Sequence, residues 1–345
     1  MSIYLFAFFV SFIVNFILII PFINLLYKLK FQRAHQKTRD AFNQRTPIFD
    51  KFHKMKAGTP VGGGILIVTT TLLGFVIFGL VIIAAGRNIV TNYQSIVSEI
   101  KILLFTFFTF SLLGLYDDLK KIFFWRDSSF FGLRLRYKLI IEIVLALIVS
   151  FWMYKDLHIK IVNIPYVNVL DLSWMFIPFA TFVIVSFANA VNITDGLDGL
   201  SSGLLLIALL SFWIISVSIL DTPLLVFISI WIGGLVAFLY FNIYPARIFL
   251  GDTGSLAFGA TLAVIGLLLG KIFTLVIVGG VFIIEILSSF LQLTSKRLRK
   301  AKIFPAAPFH LWLQYRGWEE PKIVMRAWIF GVLFALLGLM ISFLK

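Results

Sequence analysis

The sequence predicts an all-α polytopic membrane protein of about ten transmembrane helices, on three observations. Of its 345 residues, 60% are hydrophobic and 13% charged, about half the charged share of an ordinary soluble domain; mean hydropathy is +1.01. Apolar runs of about eighteen residues or more recur, each able to cross ~30 Å of hydrocarbon as a helix. Of the 30 Lys and Arg, 24 fall in alternate connections between those runs.

The first run, 3–27, has no Lys or Arg before it and outlasts a signal-peptide core, so it reads as a retained span. Further spans are expected at about 63–85, 100–119, 135–154, 173–191, 200–220, 223–241 and 254–270. A run at 272–295 contains Glu285 and leads into a basic stretch, so a bend or an extension past the membrane is expected there; the last span is 325–344. The basic connections are 28–62, 117–138, the Arg247 loop and 296–326. The positive-inside rule puts them in the cytoplasm and both termini outside. Between spans four and five, β-branched alternation around Asn163 and Pro165 predicts a short external β-hairpin near 158–172, with His158 structural. One integral membrane domain, 1–345, accounts for the chain.

The formal net charge of +14 gathers on one face. Topology and anionic lipid explain most of it, and the excess also suits a polyanionic substrate. With no cysteine there are no disulfides or thiolate metal sites, and the four histidines have no metal-ligand spacing.

The cytoplasmic connections carry the chemistry. Lys56–Gly64 reads K-A-G-T-P-V-G-G-G. Its backbone N–H groups suit either an anion at a helix start or close helix packing, and no Gly-Lys-Ser/Thr closes it as a Walker motif. Span three ends with Asp117 and Asp118, which point about 100° apart on a helix. One is free to face a metal or phosphate while the other pairs with Lys120 or Lys121. Phe187–Leu200 reads F-A-N-A-V-N-I-T-D-G-L-D-G-L and brings Asn189, Asn192, Asp195 and Asp198 to the same side. Span seven ends at Asn242, and Asp252 follows in L-G-D-T-G-S-L, where a carboxylate also suits a helix cap. Five of sixteen acids thus meet at one membrane surface, where Mg²⁺ is commonly held by one or two carboxylates plus substrate phosphates. Glu285 is an intramembrane acid, either functional or a hydrogen-bonded structural group. A basic and aromatic segment containing His310 closes the series and suits headgroups or an anionic ligand.

Together these motifs resemble the polyprenyl-phosphate N-acetylhexosamine-1-phosphate transferases. They are most similar to the phospho-N-acetylmuramoyl-pentapeptide transferase branch, on account of G-W-E-E-P-K-I-V-M-R near the C-terminus. The resemblance implies a Mg²⁺-dependent phosphoglycosyl transferase in the bacterial plasma membrane, acting on its cytoplasmic face. It would join UDP-MurNAc-pentapeptide to undecaprenyl phosphate, release UMP and form the first lipid-linked intermediate of peptidoglycan synthesis. It assigns Asp252 to the metal with Asn189 as helper, and Asp117 and Asp118 to the lipid phosphate. Asn192, Asp195, Asp198, Asn242 and Phe249 would line the uridine and diphosphate pocket, with Phe249 stacked on uracil. Lys56 and Thr59 would approach the diphosphate and Gln292 the nucleotide, with His310 also catalytic. A homodimer is expected by analogy.

One departure stands out. The muramoyl enzymes usually carry three histidines followed by Phe-Glu, and here the segment is His310-Leu311-Trp312-Leu313-Gln314. It bears on donor identity more than on reaction type, and makes transfer from UDP-GlcNAc or another UDP-HexNAc the alternative. An ion-coupled transporter would use Glu285 and the Asp cluster as an ion path, but the acids lie at one surface and no internal repeat is evident.

Overall fold

The computed structural model describes residues 1–32, 52, 56–123, 133, 135–165 and 168–344. Several basic residues of the first two basic connections lie outside them, among them Arg33, Arg45, Lys54 and Arg126. The helices are α1 Ser2–Lys28, α2 Gly63–Ala84, α3 Ile96–Phe123, α4 Leu135–Asp156, α5 Phe176–Thr194, α6 Leu200–Ile219 and α7 Thr222–Asn242, followed by α8 Gly251–Leu268, α9 Ile272–Val278, α10 Gly280–Leu298, α11 Phe309–Tyr315 and α12 Glu320–Phe343. Among the described residues nine helices are long and apolar enough to cross a membrane, and α9 with α10 forms a tenth span bent by 76°. The bend falls at Gly279, within the run whose acid and basic tail had made a bend expected.

Helices are what hydrocarbon demands, because every backbone N–H and C=O must find its partner within the protein. The exception lies outside the spans: β1 Ile161–Ile164 and β2 Asn168–Asp171 pair antiparallel, Ile161 with Asp171 and Ile164 with Asn168. This is the hairpin that the alternation predicts. At the α6–α7 turn Leu220 takes a left-handed conformation (φ 58°), and the Asp221 carboxylate accepts from Leu224 N at 3.1 Å to cap α7.

The bundle is built around α8, every residue of which is buried. Small residues let its neighbours approach, as in other membrane interfaces. A Cβ added at Gly114 of α3 would lie 2.1 Å from Asp252 O, and one at Gly259 of α8 would lie 2.3 Å from Phe187 O of α5. Phe107, Phe227, Trp231 and Phe258 fill the middle, with ring centroids 5.0–5.9 Å apart. The outer helices turn large apolar side chains outward instead, such as Phe6, Leu80 and Phe330. Exposed apolar surface on this scale suits a lipid-facing wall.

The glycine run before α2 serves packing. Gly62 N and Gly63 N both donate to Phe249 O, at 3.1 and 2.8 Å, and Gly64 N donates to Leu250 O at 2.9 Å. These bonds lash the start of α2 to the strand-like segment that leads into α8. The anion-cradle reading of those N–H groups is thereby replaced by a structural one.

Candidate active site

Three helix ends converge where α3, α4 and α8 meet. Lys121, one turn beyond Asp117 on α3, and Lys138, in the first turns of α4, stand between two carboxylates. Lys138 Nζ is 2.6 Å from Asp252 Oδ2 and 3.2 Å from Asp117 Oδ2. Lys121 Nζ is 2.8 and 3.0 Å from the same two oxygens. Asn192 of α5 turns its Oδ1 toward Lys138 Nζ at 3.5 Å while its Nδ2 donates to Ser255 Oγ of α8 at 2.7 Å. All of these side chains are buried or half-buried. Charges this far from water persist only when paired.

Asp118 does something different from its neighbour. Its Oδ1 accepts from Asp252 N at 3.1 Å, and its Oδ2 accepts from Thr253 N at 2.9 Å and Thr253 Oγ1 at 2.8 Å. It is the cap of α8, supplied from another helix, and it satisfies N–H groups that would otherwise be orphaned. Gly251 makes room for it: its φ is +79°, and a Cβ there would lie 2.7 Å from Asp118 Oδ2. Leu250, the residue before α8, offers no side-chain cap, and the Asp252 carboxylate faces the lysines. The cap also explains why α8 begins at Gly251, three residues before the span read from hydropathy.

A second cluster lies farther along the same two segments of chain. Lys56 Nζ is 2.7 Å from Asp198 Oδ1, 2.6 Å from Glu320 Oε1 and 3.2 Å from Gly196 O. It stands 5.9 Å from the centroid of the half-buried Phe249 ring. Glu320 Oε1 also accepts from Asp198 N at 2.6 Å, and Ala246 N donates to Asp198 Oδ2 at 2.9 Å. Asn242 holds the loops together, with Oδ1 accepting from Ser202 Oγ and Gly199 N and Nδ2 donating to Ile248 O. Asp195 is half-buried on the turn between the clusters, and Thr59 lies beside Lys56, to whose carbonyl its N–H donates. Asn192 to Asp198 and Phe249 to Asp252 thus each contribute residues to both clusters.

His310 reaches the turn at Gly196 from α11. Its Nδ1 lies 3.0 Å from Glu285 Oε2, and its backbone N donates to Glu285 Oε1 at 3.1 Å. A carboxylate only accepts, so Nδ1 carries the proton and Nε2 is the free ring nitrogen. Nε2 faces Gly196, where an added Cβ would lie 2.5 Å away. Gln292 makes its hydrogen bonds in the turn after α10. Its carboxamide accepts from Ile303 N and Phe304 N and donates to Phe304 O.

Several site residues escape the motif reading: Lys138, Glu142, Thr253, Ser255, Glu320 and Trp328, whose Nε1 donates to Gly199 O at 3.1 Å. Lys138 and Glu142 carried a usable signal, being charged residues one helical turn apart inside an apolar run. No group of three or more His, Cys, Asp or Glu side chains in metal-binding array occurs among the described residues.

Residues 100–270 match the model of glycosyl transferase family 4. Curated relatives extend the likeness to nearly the whole chain. A phospho-N-acetylmuramoyl-pentapeptide-transferase of Clostridium novyi is 33% identical over 341 residues, 98% of this chain and 96% of the relative. One of Caldanaerobacter subterraneus subsp. tengcongensis is 36% identical over 322 residues, 93% and 92% of the two chains. One of Oceanobacillus iheyensis is 36% identical over 292 residues, 84% and 86% of the two chains.

Proposed function

The chain belongs to glycosyl transferase family 4 and, within it, to the phospho-N-acetylmuramoyl-pentapeptide-transferases, and from that membership we propose how its residues divide the reaction. The donor is UDP-MurNAc-pentapeptide and the acceptor undecaprenyl phosphate. An oxygen of the lipid phosphate forms a bond to the sugar-side phosphorus, and the bond from that phosphorus to the UMP oxygen breaks. UMP leaves with the electron pair, and the lipid-linked sugar diphosphate remains. The face that carries the acids is the cytoplasmic face of the bacterial plasma membrane.

Two polyanions must meet here, and positioning with charge compensation provides most of the catalysis in phosphoryl transfer. Lys121 and Lys138 offset that repulsion at the transferred phosphoryl group. Asp117 accepts the proton left on the attacking lipid phosphate, whereas Asp118 keeps the first turn of α8 in place. Phe249 offers its ring to the uracil, and Lys56, Asp198 and Glu320 form the polar wall around it with Asn242 behind. Asp195 and Thr59 border the diphosphate path, and His310 presents Nε2 at Gly196, where the donor's sugar passes.

The residues suit Mg²⁺. Among the described residues, Asp117, Asp118, Asp252 and Glu142 place four buried carboxylates beside two ammonium groups, Lys121 and Lys138. The oxygens of Asp117, Asp252 and Asn192 all converge on Lys138 Nζ, a hard donor set around one cation position. Asp252 would hold the metal, with Asn189 beside it. Bound there, the ion would supply Lewis-acid stabilisation of the charge that builds on the transferred phosphoryl oxygens.

The observation that carries this reading is Asp252 Oδ2 turned toward two lysines while another residue caps its helix. Asp252→Asn is expected to abolish UMP release in a sample that thermal melting shows to be still folded. Near-normal turnover in that variant would remove Asp252 from the centre of the reaction.

A further inference from the structure

Glu142 is a fully buried acid inside α4 that the proposed reaction does not use. Leaving a carboxylate at this depth is costly, so its partners define its purpose. Oε2 accepts from Asn189 Nδ2 at 2.5 Å, and Oε1 has no hydrogen-bond donor among the described residues. Asn189 Nδ2 donates its second hydrogen to Val185 O at 3.0 Å. The Val185 carbonyl can only accept, so it does not tolerate a flipped carboxamide. The amide nitrogen is therefore turned to Glu142 and Val185, which leaves Oδ1 as the accepting end of the carboxamide. Asn189 lies one turn before Asn192 on α5, and Glu142 lies one turn after Lys138 on α4. The pair thus braces the two helices that flank Asp252.

We propose that Glu142 is a positioning residue that fixes the carboxamide of Asn189 so that its oxygen serves the divalent-cation position beside Asp252. The proposal rests on the metal reading above. Partners behind a ligand orient it, and their loss typically costs about 10- to 100-fold in metal affinity.

The test uses the full chain in detergent micelles with Mn²⁺ alone as the probe, free ion being counted by electron paramagnetic resonance. Glu142→Met removes the acceptor at similar volume, and its affinity is expected to fall about tenfold. Glu142→Gln still offers an accepting carbonyl, so it should stay within about twofold of the parent. Asn189→Ala should lose as much as Glu142→Met, and the double variant no more than Asn189→Ala alone. Thermal melting of each variant confirms that it is folded, and Glu142→Ala replaces the Met variant if that one is not. Parent-like affinity in the variant lacking the acceptor would overturn the proposal, as would losses that multiply in the double variant. A parent protein that takes up no Mn²⁺ would overturn the metal reading, and this inference with it.

Discussion

At the scale of single residues, adjacent carboxylates have acquired separate duties. Asp117 and Asp118 are indistinguishable by composition, yet one faces two ammonium groups and the other caps a helix from across an interface. Asp118→Ala would strand three donors at the start of α8. Hydrogen bonds to a buried charged group contribute about 1.5–3 kcal/mol each, so a marked fall in melting temperature is expected. Asp117→Asn keeps the oxygen that accepts from Leu133 N, so its melting temperature should fall less while turnover is lost. The reverse pattern in the two melting curves would exchange their roles. Phe249→Ala should weaken binding of the UDP donor by about 1–3 kcal/mol, the usual cost of one lost base stack. Titration calorimetry showing unchanged affinity would reject stacking there.

At the scale of elements, most of the fold was legible in the sequence. Lipid leaves a spanning chain little choice but helix, so long apolar runs mark the spans and the charge asymmetry orders their loops. The hairpin at Ile161–Asp171 and the bend within 272–298 were readable from local signals as well. Helix ends were less so, because they are set by partners from elsewhere in the chain. Hydropathy could not announce that Asp118 of α3 begins α8 at Gly251, nor that Glu320 of α12 closes over Asp198 N. The acids of the site were visible as motifs. Lys138 and Glu142 belong to no motif, and their one signal was a pair of charges a helical turn apart inside an apolar run. The close approach of α3 to α8 gives a test at this scale. Gly114→Ala would place a methyl group against the backbone of Asp252. Overpacking of this kind costs about 1–3 kcal/mol and here also displaces the Asp252 carboxylate. Melting temperature and UMP release should therefore fall together, and an active, fully stable variant would show that the helices can part without harm.

At the scale of the whole molecule, one buried helix organises both halves of the site. α8 brings Asp252 to the lysines, and the segment before it carries Phe249 to the Lys56 cluster, so the proposed chemistry and nucleoside recognition would share one stretch of chain. The outer helices meet lipid, which suits an acceptor substrate that never leaves the membrane. The central claim is that this assembly passes phospho-N-acetylmuramoyl-pentapeptide from UDP to a lipid phosphate. The most direct measurement is UMP release by the purified protein with undecaprenyl phosphate and Mg²⁺, supplied with UDP-MurNAc-pentapeptide or with UDP-GlcNAc. Release with the muramoyl donor alone is predicted, and it would show that His310 suffices without the neighbouring histidines. Release with UDP-GlcNAc alone, or with neither donor from a folded sample, would contradict the claim.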